Sequence, residues 1–176
     1  IVTTTPSPPQ NINHTYTTPG TYTVTLTVQN FCGTSTKTQQ ICVEPPLTPL
    51  FTLNTNTGCT PLSVTATNNT VPTNQCATPT YLWTVTYASG FCGTSITPIP
   101  SQSTANANFN FTEPGTYTIT LAATNSCTPT QTTSQTVTVK KPPTVTIAAI
   151  TSACGTANIN PTATVNSCAP ASSTVT

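Results

Sequence analysis

The chain has 176 residues, enough for one or two domains, and only Lys37, Lys140, Lys141, Glu44 and Glu113 carry charged side chains. A net charge of +1 excludes electrostatic steering toward nucleic acid or an acidic membrane. No apolar run reaches the ~20 residues that span a bilayer, and abundant β-branched Thr with so little charge is unlike the usual charged disordered tail.

The first clear element is PGTYTVTL, Pro19 to Leu26, which returns 95 residues later as PGTYTITL, Pro114 to Leu121. The match extends backward without a gap, NINHTYT at Asn11 facing NANFNFT at Asn106, and places His14 opposite Phe109. His14 is read as a structural histidine at a partly inward strand position. Forward, the match runs to Asn30 and Asn125, then to Cys32 and Cys127. Each copy leads to a Pro-Pro pair, Pro45-Pro46 and Pro142-Pro143, now 97 residues apart, which predicts a two-residue insertion in the intervening loop. A period near 95 is too long for a solenoid repeat and fits one β-sandwich domain.

Between the two copies, period-two alternation predicts strands at Phe51–Asn54, Leu62–Thr67, Tyr81–Tyr87, Ala107–Phe111, Thr116–Thr124 and Gln135–Val139, within a seven-stranded unit. The inward sets are Leu62, Val64 and Ala66; Tyr81, Trp83, Val85 and Tyr87; Phe109 and Phe111; Tyr117, Ile119, Leu121 and Ala123; Val137 and Val139. Trp83 is a core residue on this reading. Pro114-Gly115 predicts a turn in which Gly is free to take positive φ. Tyr117, and Tyr22 at the matching position, stand where a sandwich can use a tyrosine corner. No segment has helical periodicity, so the fold class is all-β.

After the second Pro-Pro, TVTIAAITSACG resembles LTPLFTLNTNTGC and sets Cys154 opposite Cys59, while NSCAP resembles NQCATP and sets Cys168 opposite Cys76. The expected organisation is the tail of one repeat at 1–44, a complete repeat at 47–141 and the head of a third at 144–176. The two partial ends together lack the segment YLWTVTYASGFC with the single tryptophan, so they are not expected to complete one another. The chain opens on IVTTTPSPP, without Met or a basic leader, and is expected to be an internal piece of a longer exported protein.

The segments HTYTTPGTYTVTLTVQN, His14 to Asn30, and NFTEPGTYTITLAATN, Asn110 to Asn125, resemble the late strands of PKD domains, which are immunoglobulin-like β-sandwiches. One departure is plain. PKD domains commonly carry Trp-Asp-Phe-Gly-Asp-Gly after the third strand, and here Trp83-Thr84-Val85-Thr86-Tyr87 stands instead, which puts an acidic ion-binding role in doubt. Cysteine-bearing, Thr-rich repeats of this kind resemble those of large cell-surface adhesins of gliding Bacteroidota. That resemblance implies tandem PKD-like sandwiches on the outside of a cell.

Eight cysteines in a chain this size imply an oxidising compartment, and with one His and no Asp, metal ligands are scarce. Sandwich topology sends alternate loops to opposite ends. Cys59 and Cys92 then share one end, and Cys76 and Cys127 the other, which predicts the disulfides Cys59–Cys92 and Cys76–Cys127. Cys42 has no evident counterpart, and a local Cys32–Cys42 bridge stays open. The pentapeptide FCGTS occurs at Phe31 and Phe91, but the 95-residue frame matches Cys32 with Cys127, so these are not two copies of one site.

No catalytic residue, metal site or cofactor is expected, because no Ser or Cys has a plausible His–carboxylate pair. The function expected is a non-catalytic, semi-rigid rod segment of a secreted, extracellular cell-surface adhesin, used in adhesion or gliding. The alternative is a carbohydrate-binding accessory module of a polysaccharide-degrading enzyme, which would show an exposed aromatic row. Expected partners are neighbouring repeats of the same chain and, beyond them, a surface polysaccharide or another cell-surface protein, with neither nucleic acid nor membrane insertion among them. The Thr-rich outer faces are read as neutral strand surface, and Asn13, Asn68 and Asn110 as sequons only in a host that uses them.

Overall fold

A computed structural model describes residues 12–90, 96–127, 129–149, 154–156 and 163–166. Every regular element among them is a strand: β1 (Gly20–Asn30), β2 (Gly33–Val43), β3 (Phe51–Leu53), β4 (Thr57–Cys59), β5 (Leu62–Asn68), β6 (Thr80–Gly90), β7 (Ala107–Phe111), β8 (Gly115–Thr124), β9 (Gln131–Lys140), β10 (Thr144–Ile147) and β11 (Ala163–Asn166).

The central strands form a sandwich of two sheets, one ordered β3-β5-β7 and the other β4-β9-β8-β6. All pairs are antiparallel except β4 with β9. Alternation drives this arrangement. Along β8, Tyr117, Ile119, Leu121 and Ala123 are buried, while the Thr residues between them reach the surface. They meet Phe51, Val64, Phe109 and Phe111 from the opposite sheet, with Trp83, Val137 and Val139 completing the core. Each aliphatic or aromatic side chain taken fully out of water here contributes about 1.5–3 kcal/mol. The only indole is fully buried, edge-on to Phe51 at 5.1 Å between ring centroids, and its Nε1–H donates to the Thr104 carbonyl at 3.0 Å.

The structure departs from the sequence expectation at four places. Cys59 lies in a short strand, β4, instead of a loop: Thr138 donates to the Asn56 carbonyl at 2.9 Å and Thr60 to the Lys140 carbonyl at 2.8 Å. Thr-Gly-Cys has no apolar alternation, so its pairing is a backbone event without a side-chain signature. Tyr87, expected inside, is 37% exposed at the sheet end, where its ring leans on Tyr117. Gly115 does not use positive φ; it is required for space, because a Cβ there would meet the Tyr87 ring and sit 2.9 Å from the Ser89 carbonyl oxygen. His14 is exposed and outside any strand, packed edge-on against Tyr16.

The β1–β2 hairpin forms its own two-stranded sheet, as does β10–β11. Its register runs parallel to that of β8–β9, with Gly20 opposite Val43 as Gly115 is opposite Val139. This splits the two-residue insertion. One residue falls in the hairpin loop, and the other follows the last valine, where Glu44 alone precedes Pro45 but Lys140 and Lys141 precede Pro142. Cys42 therefore shares its ladder position with Thr138, not with Val139.

Candidate functional site: the segment joining hairpin and sandwich

Pro-Pro sequences favour an extended chain with no backbone donors at those positions. The segment after β2 is nevertheless docked onto one end of the sandwich. Glu44 is 9% exposed and Leu47 4%. The Glu44 carboxylate accepts from two loops at once. Its Oε2 takes the Cys76 N–H at 2.7 Å, from the β5–β6 connection, and its Oε1 takes the Ser126 N–H at 2.7 Å, from the β8–β9 connection. The Ser126 hydroxyl donates to the same Oε1. These bonds to the ionised form, the Ser126 hydroxyl foremost, hold the Glu44 carboxyl below the ordinary glutamate range against the opposing effect of burial.

The following proline is fastened too. The Asn125 side-chain amide donates to the Pro45 carbonyl at 2.8 Å and to Gln75 Oε1 at 2.7 Å. Covalently, Cys42 at the end of β2 is bonded to Cys76, with Cα atoms 5.8 Å apart. Cys127 keeps a free, half-buried thiol that donates to the Glu44 carbonyl at 3.1 Å.

This corrects the expected Cys76–Cys127 bridge. Topology does bring Cys76 and Cys127 to one end of the sandwich, where both touch Glu44. The docked segment brings a third cysteine to the same place, and Cys76 is bonded to that one. A local Cys32–Cys42 bridge is excluded, because Cys32 sits in the hairpin turn and Cys42 at the far end of the ladder, about 30 Å away at strand rise. Cys59 is an exposed free thiol, and its expected partner Cys92 lies outside the described residues, as do Phe91 and Cys168. Of the expected core residues, Trp83 and Tyr117 are buried and Tyr22 is half-buried.

Tyr117 donates its hydroxyl to the Glu113 carbonyl at 2.8 Å, and Tyr22 to the Thr18 carbonyl at 2.6 Å, the same four-residue tie in both places. Burial first, then the neighbouring Tyr87 and Glu113, pushes the Tyr117 phenol up, so it stays a donor. The rings repeat as well: Tyr16 packs on Tyr22 at 4.3 Å as Phe111 packs on Tyr117 at 4.5 Å. Asn30 and Asn125 each accept the N–H of the cysteine two residues on, at 2.9 and 3.0 Å.

Among the described residues no group of His, Cys, Asp and Glu is placed to hold a metal ion. The junction fastens the hairpin to the sandwich through one carboxylate, one side-chain amide and one disulfide. The sequence signal for it was a glutamate between a cysteine and a proline pair, in a chain with only two acidic residues.

The family model of the PKD domain matches residues 4–45. No curated protein gives a match to the chain. With that match, the twin tyrosine ties and the two-sheet strand arrangement, the chain carries a PKD-like, immunoglobulin-like β-sandwich domain.

Proposed function

We propose that the chain is a non-catalytic structural segment of an extracellular protein, in which PKD-like units at 1–44, 47–141 and 144–176 follow one another and act as a load-bearing spacer for adhesion. The observation that carries this reading is the junction after β2. A disulfide, a two-pronged carboxylate and a side-chain amide all fasten the end of one PKD-like segment to the end of the next sandwich. Such cross-links add resistance to bending and pulling beyond what two prolines, which only keep the chain extended, supply.

The uncovered side of the hairpin fits the same reading. Val24, Leu26 and Val28 are 39–60% exposed, whereas their ladder equivalents Ile119, Leu121 and Ala123 lie under the second sheet. An isolated hairpin is marginally stable in water, so the leading strands of its own unit are the natural cover. A carbohydrate platform draws less support, because Trp83 and Tyr117 are buried and Tyr81 is half-buried. Cell-surface placement and a part in gliding are the finer reading of this role.

Small-angle scattering tests it. A spacer of 176 residues gives a radius of gyration well above the ~16 Å of a compact globule of that length. The Cys42→Ser/Glu44→Gln double variant broadens the distance distribution. A wild-type value near 16 Å overturns the proposal.

A further inference from the structure

We propose that Cys127 is an alternative partner for Cys76, so that the bond across the junction, Cys42–Cys76, exchanges with a bond inside the sandwich, Cys76–Cys127. Three cysteine-bearing segments meet at Glu44. Cys42 and Cys76 are joined, the Cys76 backbone is held on Glu44 Oε2, and the Cys127 thiol rests on the Glu44 carbonyl. The backbones of Cys76 and Ser126 hang on the two oxygens of a single carboxylate, so the loops that carry Cys76 and Cys127 are held together at one end of the sandwich.

The repeat pattern separates the three positions. Cys127 has its counterpart in Cys32 and Cys76 in Cys168, each in a different repeat, but Thr138 stands at the ladder position of Cys42. The two positions inside the sandwich each recur where that of Cys42 does not, and Cys42 competes with Cys127 for Cys76.

The step balances without an outside oxidant. The Cys127 thiol loses its proton to solvent, and the thiolate attacks Cys76 Sγ. The S–S bond to Cys42 breaks as the bond to Cys127 forms, and Cys42 leaves as a thiolate that takes up a proton. One disulfide and one thiol are present before and after. What changes is mechanical: the covalent tether across the junction is released, leaving the hydrogen bonds of Glu44 and Asn125. The inference stands on the geometry of this junction and is independent of whether the chain serves as a spacer.

Disulfide mapping of the full chain tests it. The protein is equilibrated at mildly alkaline pH with a trace of small thiol, quenched by alkylation, and cleaved after Lys37, Glu44, Glu113 and Lys140. This puts Cys42, Cys76 and Cys127 on separate peptides. The expected result is both linked peptides, Cys42–Cys76 and Cys76–Cys127, within a factor of about ten of each other, a difference of at most about 30 mV between the two couples. Cys127→Ser leaves only the first, and Cys42→Ser, reoxidised, gives only the second. Wild type that shows Cys42–Cys76 alone after equilibration overturns the proposal, and so does a Cys42→Ser variant whose Cys76 and Cys127 stay unlinked on oxidation.

Discussion

Tyr117 and Tyr22 make the same hydroxyl-to-carbonyl tie in different surroundings, and this separates the bond from the packing. Tyr117 is 2% exposed, so removing its hydroxyl leaves the Glu113 carbonyl without that donor inside the fold. Tyr117→Phe should cost about 1–2 kcal/mol by denaturant unfolding. Tyr22 is half-buried and water can replace its hydroxyl, so Tyr22→Phe should cost less than about 0.5 kcal/mol. Equal losses in the two variants would show that burial does not set the worth of the bond. Tyr117, like Trp83, was legible in the sequence, because each belongs to a period-two apolar series, Tyr117 with Ile119 and Leu121 and Trp83 between Tyr81 and Val85, that has one face to occupy. Gly115 was legible as a necessary glycine, but for a different reason. Its ladder partner on β6 is Gly90, and the register shift at Tyr87–Ser89 beside it brings the Tyr87 ring and the Ser89 carbonyl against Gly115; such a shift leaves no trace in the alternation.

At the scale of elements, the informative piece is the short stretch from Cys42 to Leu47. Its role was hidden because a Pro-Pro pair reads as a free spacer, and because the partners of Glu44 are backbone N–H groups, which every sequence has. The expected Cys76–Cys127 pairing gave way for a related reason. Loop topology brought Cys76 and Cys127 to the same end correctly, but partner choice was decided by a segment from outside the sandwich. The docking of Glu44 has a pH signature. Its carboxyl is held below the unfolded glutamate value, so its contribution is complete above that value, about 4.3, and is lost as pH falls through the lower folded value. Amide exchange at Cys76 and Ser126 should therefore accelerate on acidification, after correction for the intrinsic rate, while the amides of β8 stay protected. Glu44→Gln should already show the faster exchange at neutral pH. Unchanged protection of both amides in that variant would remove the carboxylate from the account.

For the molecule as a whole, the two Pro-Pro junctions differ in kind. The first is docked. At the second, Lys140, Lys141, Pro142, Pro143 and Thr144 are all exposed, and Val145 is 60% exposed. That difference has a consequence for how the protein can be opened. Lysines stand only at 37, 140 and 141, and the first is paired inside the β1–β2 ladder. A protease that cuts after lysine therefore meets its more accessible peptide bond at the second junction, where Lys140 is the last residue of β9 and Lys141 beyond it is exposed and outside any strand, whereas Lys37 lies mid-ladder. Brief digestion should release residues 141–176 first, and cleavage at Lys37 should lag well behind, as read by intact mass over time. Early cutting at Lys37 would mean that the hairpin opens as readily as the linker. Because the first junction offers no lysine, its one-residue shortening removes the cleavage site along with the slack: digestion removes residues 141–176 while the fastened hairpin and sandwich survive.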